Sequence, residues 1–170
     1  MIMAEHDPAT ELMPNSTPGS TATSWDEGRE RFGGAPVYWL ATVRPDGRPH
    51  VMPVQGVWTD GAAYICTFHG SVKDQNLAAN PNVSVTFGQD ALDLIFEGAA
   101  TKVADDAILG RVGDAYKAKY GWQVAVRDGV FFGDSGSGMG EIPWAVYEIA
   151  PARGFGFATD KGFSATRWTF

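Results

Sequence analysis

Ser71-Val72-Lys73 is the segment of this 170-residue chain with the clearest chemical content. Ser71 stands where a helix N-cap belongs, and the free backbone N–H groups of a first helical turn point at whatever lies before it. A lysine inside that turn is unfavourable to the helix dipole, so its placement suits an anion such as phosphate held between the two. A serine cap with a solvated lysine accounts for the same residues equally well. Gly133-Asp134-Ser135-Gly136-Ser137 has the form found around the nucleophile of trypsin-like serine proteases, but such a serine needs a histidine base and a partner for that base. The three histidines, His6, His50 and His69, suggest no triad. His50 and His69 offer two imidazoles without a third ligand at matching spacing, so no metal site is expected. Gly136-x-Gly138-x-Gly140 is followed by Ile142-Pro143 rather than a helix, which disfavours a dinucleotide fingerprint and leaves a loop or lid. Cys66, within Tyr64-Ile65-Cys66-Thr67-Phe68, reads as a small core residue. The chain ends on Phe163, Trp168 and Phe170 around Arg167, aromatics that need a partner surface. That surface is either the chain's own core or a second subunit, with Trp168 and Arg167 beside a planar ligand.

The elements that must position these residues are short. Residues 1–23 are rich in Thr, Ser, Pro, Ala and acids without apolar periodicity and predict a mobile arm, with one folded domain over 24–170. Ser24-Trp25-Asp26-Glu27 has the form of a capping box and opens a short helix that stops at Gly33. Val37 to Val43, His50 to Trp58 and Ala62 to Phe68 predict a meander of three strands joined by Pro-Asp-Gly and Asp-Gly turns. A helix over Ser71 to Asn80 precedes strands at Val83 to Phe87 and Leu92 to Val103. Asp105 to Tyr120 predicts a helix ending at Gly121, with Ile108, Leu109, Val112, Tyr116 and Tyr120 on its apolar face. Gly129 to Gly140 reads as a glycine-rich loop, and Trp144 to Ile149 and Gly154 to Ala158 as two further strands. The fold class is mainly β, α+β: six to seven antiparallel strands closed into a small barrel with two or three flanking helices, closure removing exposed edges.

Composition narrows the function. Thirteen Lys and Arg against 20 Asp and Glu give a formal net charge of −7, which offers no general grip on nucleic acid or anionic lipid. Charged residues reach only 19%, below the roughly 25% of an average globular protein, so much surface is expected to be covered by something. No long apolar run suggests a membrane span, and the single cysteine cannot form an internal disulfide, so a reducing cytoplasm is the expected compartment.

Three stretches in order, Val37 to Val54, Tyr64 to Thr67 and Gly70 to Pro81, closely resemble the pyridoxamine 5'-phosphate oxidase-like superfamily, which includes flavin and deazaflavin (coenzyme F420) oxidoreductases. Glu97-Gly98, Lys119-Tyr120-Gly121-Trp122 and Thr166-Arg167-Trp168 extend the likeness over residues 25–170. The resemblance implies a split β-barrel of Greek-key type that forms a homodimer, with two cofactor sites at the subunit interface. It implies that His50, Met52, Pro53 and Val54 lie along the ring of F420 or FMN, and that Thr67, Ser71 and Lys73 approach the cofactor phosphate. Asn76 would support that loop, and Arg167 and Trp168 would come from the other subunit. Two features depart from the family pattern. Ser71 and Val72 stand where an arginine often precedes the lysine, and Gln55 stands where the oxidase itself has a lysine for the vitamin phosphate. Hydride transfer to a small conjugated or heteroaromatic substrate, F420 favoured slightly over FMN, is therefore expected rather than pyridoxamine phosphate oxidation. No catalytic acid or base is required, and Tyr116, Tyr120 and residues 134–141 are candidates for shaping a substrate pocket. The alternative is a non-enzymatic protein that holds a flavin, haem or other planar ligand in the same pocket.

Overall fold

The computed structural model describes residues 7–136, 138 and 140–170. The alternation of β2 (Tyr38–Val43) buries Tyr38, Leu40 and Thr42 and turns Trp39 outward. A tight turn in which Asp46 accepts the Arg48 N–H returns the chain as β3 (Pro49–Val54), with Thr42 opposite His50 and Tyr38 opposite Val54. The expected single strand from His50 to Trp58 is two strands. After Gln55 the chain changes partner, because β4 (Gly56–Thr59) pairs with β5 (Ala62–Phe68) and not with β2.

The remaining strands are β6 (Asn82–Gln89), β7 (Leu92–Val103), β8 (Ala125–Arg127), β9 (Val130–Asp134), β10 (Glu141–Ala158) and β11 (Ser164–Thr169), preceded by β1 (Ala9–Leu12). Among the described residues the strands form one 11-stranded sheet whose main path runs β1-β11-β10-β7-β6-β2-β3, with β4, β5, β8 and β9 branching off it and every ladder antiparallel. The long strand β10 is its spine. Val146 to Ala158 pairs with β7 along one side, while the other side is shared by β5, at Trp144 to Ile149, and β11, at Arg153 to Ala158. That division splits the barrel. The two strands expected at 144–149 and 154–158 are thus one, interrupted by a bulge at Ala152, where the register shifts between Pro151 and Arg153. A Cβ on Gly98 would meet the Ala150 carbonyl oxygen at 2.1 Å, so the close strand approach beside the bulge requires glycine. Eleven strands replace six or seven because β1, β4, β8, β9 and β11 are short or borrow their order from a neighbour.

Three helices cover the sheet. α1 (Trp25–Gly34) is capped by Ser24, α2 (Val72–Ala79) by Ser71, and α3 (Asp106–Tyr120) by Asp105, with Gly121 left-handed at its end. Both faces of β5 are buried. Ala63 and Ile65 join the barrel core with Leu40, Val85 and Leu94, whereas Tyr64 and Cys66 join Val112, Tyr116 and Phe131 beneath α3. A strand buried on both faces reads as a continuous apolar run, as β5 does.

The mobile arm expected over residues 1–23 is ordered from Ala9 onward. β1 pairs with β11, Met13 N–H donates to the Ala165 carbonyl, Thr17 N–H to that of Phe163, and Thr23 N–H to the Thr166 hydroxyl. Backbone pairing along an open strand edge orders this segment, and composition carries no sign of that. Residues 1–6 lie outside the described residues. Among the described residues no helix is long and apolar enough to cross a membrane.

Candidate functional site

The chain leaves β5 through Phe68, His69 and Gly70 and begins α2 at Ser71. Ser71 Oγ accepts the Asp74 N–H at 3.2 Å and lies 2.9 Å from Thr67 Oγ1, so strand end and helix cap are tied together. Lys73 is half-buried, and burial pushes its pKa down. Among the described residues no hydrogen bond or carboxylate meets its ammonium. Lys73 thus stands at the start of α2 as a cation without a partner among the described residues.

A second polar string lies beside it. Asn76 Nδ2 donates to Thr42 Oγ1 at 2.9 Å, and Thr42 Oγ1 is 3.4 Å from His50 Nδ1. His50 is buried, and burial first, then the charges of Arg44 and Lys73, holds its pKa below the ordinary range. Lys73 on α2 and His50 on β3 are therefore close enough to sense one another. Met52 is 41% exposed and Pro53 is exposed, while Val54 is buried in the barrel core. The Val54 side chain consequently faces away from any ligand laid along the outside of β3. β3 ends the sheet order, so its second backbone edge is unpaired.

The residue missed from sequence is Asp74, 7% exposed. Its carboxylate accepts the Gly70 N–H at 2.7 Å and the Tyr147 hydroxyl at 2.5 Å, and it lies 3.5 Å from Lys102 Nζ and 3.4 Å from His69 Nδ1. Tyr147 and Lys102 are directly opposed on β10 and β7, which is why both reach the same carboxylate. Burial raises the Asp74 pKa, but the Tyr147, Gly70, Lys102 and His69 contacts outweigh it and leave the group below the usual range. A first-turn acid looks ordinary in sequence. The partners that make it a hub are about 30 and 70 positions away.

Several other expectations fall elsewhere. Trp168 is fully buried in its own chain's core, edge-on to Trp25, and a Cβ on Gly156 would meet its ring at 2.7 Å. Its glycine-lined slot removes it from any surface site, so the reading that places it beside a planar ligand is corrected. Trp168 Nε1 has no hydrogen-bond partner among the described residues. Arg167 points outward and pairs with Glu11 on β1. Tyr116 and Tyr120 are tied to the backbone between β3 and β4: Tyr116 donates to the Gln55 carbonyl at 3.0 Å and Tyr120 to that of Gly56 at 2.9 Å. Lys119 Nζ donates to the Gly56 carbonyl and to Tyr38 Oη, each at 2.9 Å. The segment expected as a loop at 129–140 is partly the β8–β9 hairpin. Ser137 of the protease-like motif and Met139 lie outside the described residues. Among the described residues no three His, Cys, Asp or Glu groups gather as metal ligands. The best-formed hollows, both bounded by Phe32, Ala63, Val85 and Ile149, have room for at most about one water molecule.

A family model described as pyridoxamine 5'-phosphate oxidase matches residues 24–156. No curated protein matches the sequence. Among solved structures, a conserved hypothetical protein of Mycobacterium tuberculosis is 22% identical with a TM-score of 0.67, over 89% of this chain and 91% of that one. A NimC/NimA family protein of Clostridium acetobutylicum is 18% identical, TM-score 0.60, over 84% and 90%. HutZ, described as the heme storage protein of Vibrio cholerae, is 20% identical, TM-score 0.55, over 74% and 86%. Identities this low establish the shared fold.

Proposed function

Because this chain belongs to the pyridoxamine 5'-phosphate oxidase-like family, we propose that it is a flavin-class oxidoreductase that works as a homodimer with F420, in preference to FMN, at the subunit interface. The observation that carries this reading is Lys73: a half-buried ammonium without an acceptor, beside the Thr67 and Ser71 hydroxyls at the start of α2. Those three residues fit a cofactor phosphate, with Asn76 bracing Thr42 and His50 behind them. Met52, on the same face of β3 as His50, offers an exposed apolar contact for the ring, next to a histidine whose pKa is held down by burial.

The bound cofactor supplies the hydride chemistry, its acceptor being a small conjugated or heteroaromatic molecule. The chain's own work is to hold the phosphate, orient the ring and exclude water. The two best-formed hollows among the described residues are too small for a tricyclic ring, and we assign the ring to a surface that a second copy covers. The outward face of β2 and β3, opposite His50 and Met52, suits contact with that second copy: Trp39 is 52% exposed and Val51 51%, next to exposed Val37 and Pro53. Arg167, on the outer face of β11, is the residue we assign to reaching the second copy's ligand. A cytoplasmic setting belongs to the same reading, supported by the single free Cys66.

The second reading is a carrier of haem or another planar ligand, favoured by the half-exposed imidazole of His69 beside the same site. Turnover separates the two. Purified protein stripped of cofactor is titrated with F420, FMN and haemin, and the reduced flavin or deazaflavin complex is then mixed with nitroaromatic and enone acceptors. Saturable F420 or FMN binding with acceptor-dependent reoxidation is expected; haemin binding alone would overturn the oxidoreductase.

A further inference from the structure

The turn that leads into α2 is held by groups that lie outside the site itself. Gly70, at φ +78°, closes a turn in which the Ser71 N–H donates to the Phe68 carbonyl at 3.0 Å. Both backbone groups of Gly70 are met by side chains of the helix that follows. Its N–H donates to the Asp74 carboxylate at 2.7 Å, and its carbonyl accepts from Gln75 Nε2 at 2.8 Å. The His69 N–H donates to the Pro143 carbonyl of β10 at 3.1 Å, and the Asp74 N–H is taken by Ser71 Oγ. Tyr147, also on β10 and 2% exposed, directs its hydroxyl onto Asp74 and onto no other residue among those described. Among the described residues this leaves Val72 and Lys73 as the backbone N–H groups without an acceptor at the start of α2. A helix of eight residues has little stability of its own, so contacts of this kind decide where its first turn points.

Resting on the phosphate site proposed above, we infer that Tyr147, Asp74 and Gln75 are its positioning residues: they fix the Gly70 turn so that the Val72 and Lys73 N–H groups and the Lys73 ammonium are already in place when the phosphate arrives. A turn ordered in the free protein spares the ligand the entropy of ordering it, which raises affinity without adding a contact. Tyr147 acts at one remove, its ring in the barrel core and its hydroxyl on Asp74. Gln75 acts from the solvent side of the same turn. Both side chains are neutral, so replacing either one changes the hold on the turn and leaves the charge of the site as it was.

The test measures dissociation constants in the wild type, in Tyr147→Phe and in Gln75→Ala for two pairs of ligands that share a ring and differ in the phosphate. The pairs are FMN with riboflavin, and F420 with the deazariboflavin that lacks its phosphate-bearing tail. Tyr147→Phe is expected to weaken the phosphate-bearing member about ten-fold and Gln75→Ala about three-fold, the size of one lost hydrogen bond to a charged and to a neutral group. The phosphate-free member should move by less than about two-fold in either variant. A merely structural role would weaken both members of a pair together, and that result overturns the inference. Gln75 is exposed and its truncation leaves the core untouched, so this variant alone decides the matter if Tyr147→Phe fails to fold. A wild type that favours the phosphate-bearing ligand, with neither variant changing that preference, overturns the inference and leaves the site in place. A wild type without that preference overturns the site and the inference together.

Discussion

Two lysines in this molecule are half-buried, have their pKa lowered by burial, and face no carboxylate among the described residues, yet only one of them lacks an acceptor there. Lys119, pushed down to about 8, spends its donors on the Gly56 carbonyl and Tyr38 Oη and lies 4.9 and 5.1 Å from the centroids of the Tyr38 and Tyr120 rings. With Tyr116 and Tyr120 it pins the corner where the chain passes from β3 to β4. Lys73, by contrast, has no acceptor among the described residues and sits at the start of α2 beside the Thr67 and Ser71 hydroxyls, which bond each other. Burial of a cation is thus a weak sign of function. An unmet donor set beside an open backbone is a stronger one, because buried donors are otherwise satisfied.

The comparison breaks most visibly at the support beneath Lys73. Asp74→Ala leaves the Gly70 N–H and Tyr147 hydroxyl without their acceptor and Lys102 without its counter-ion, and should cost about 3 kcal/mol in a denaturant titration and abolish cofactor binding. Lys73→Ala should weaken F420 binding by about 1.5 to 3 kcal/mol while the melting temperature of the free protein stays level, as read by fluorescence titration and calorimetry. Lys119→Met should do the converse. It orphans nothing, since Tyr120 still donates to the Gly56 carbonyl and Tyr38 to that of Phe32. The sign follows from the lowered pKa: between about 8 and the ordinary lysine value the unfolded chain holds a proton that the folded one has lost, so wild-type stability gains from this group as pH rises through that window. Lys119→Met should therefore be most favourable relative to wild type at pH 7 and lose that advantage toward pH 10, as followed by thermal melts. Arg167→Ala should have the smallest effect, no more than about 1 kcal/mol on cofactor affinity, because Glu11 already engages the guanidinium at an exposed edge.

How much of this was legible in the sequence depended on where the deciding partner lay. α3 was readable to within one residue, since Asp105 and Gly121 cap it by local chemistry. The Asp60-Gly61 turn and the Ser71 cap were readable for the same reason. The break at Gln55, the joining of 144–158 into one strand, and the ordering of β1 depend on which strand lies alongside, information carried by register and not by the segment itself. The tail was legible as needing a partner, but the slot for Trp168 is built by Gly28, Gly154 and Gly156, scattered over the chain. In the proposed site, spacing pointed to Ser71 and Lys73 while leaving a plain serine cap with a solvated lysine equally open, and the tie from Asn76 to Thr42 and His50 bears on residues that the family resemblance had singled out. Asp74 was invisible, because an acid in a first helical turn gains its meaning only from Tyr147 and Lys102.

The most direct test is a side-by-side equilibrium titration of wild type, Lys73→Ala and Lys119→Met with F420, followed by deazaflavin fluorescence. The account predicts saturable binding to wild type, binding weaker by at least about ten-fold in Lys73→Ala, and unchanged affinity in Lys119→Met. Equal affinity in wild type and Lys73→Ala would contradict it, and would remove the start of α2 from the binding site.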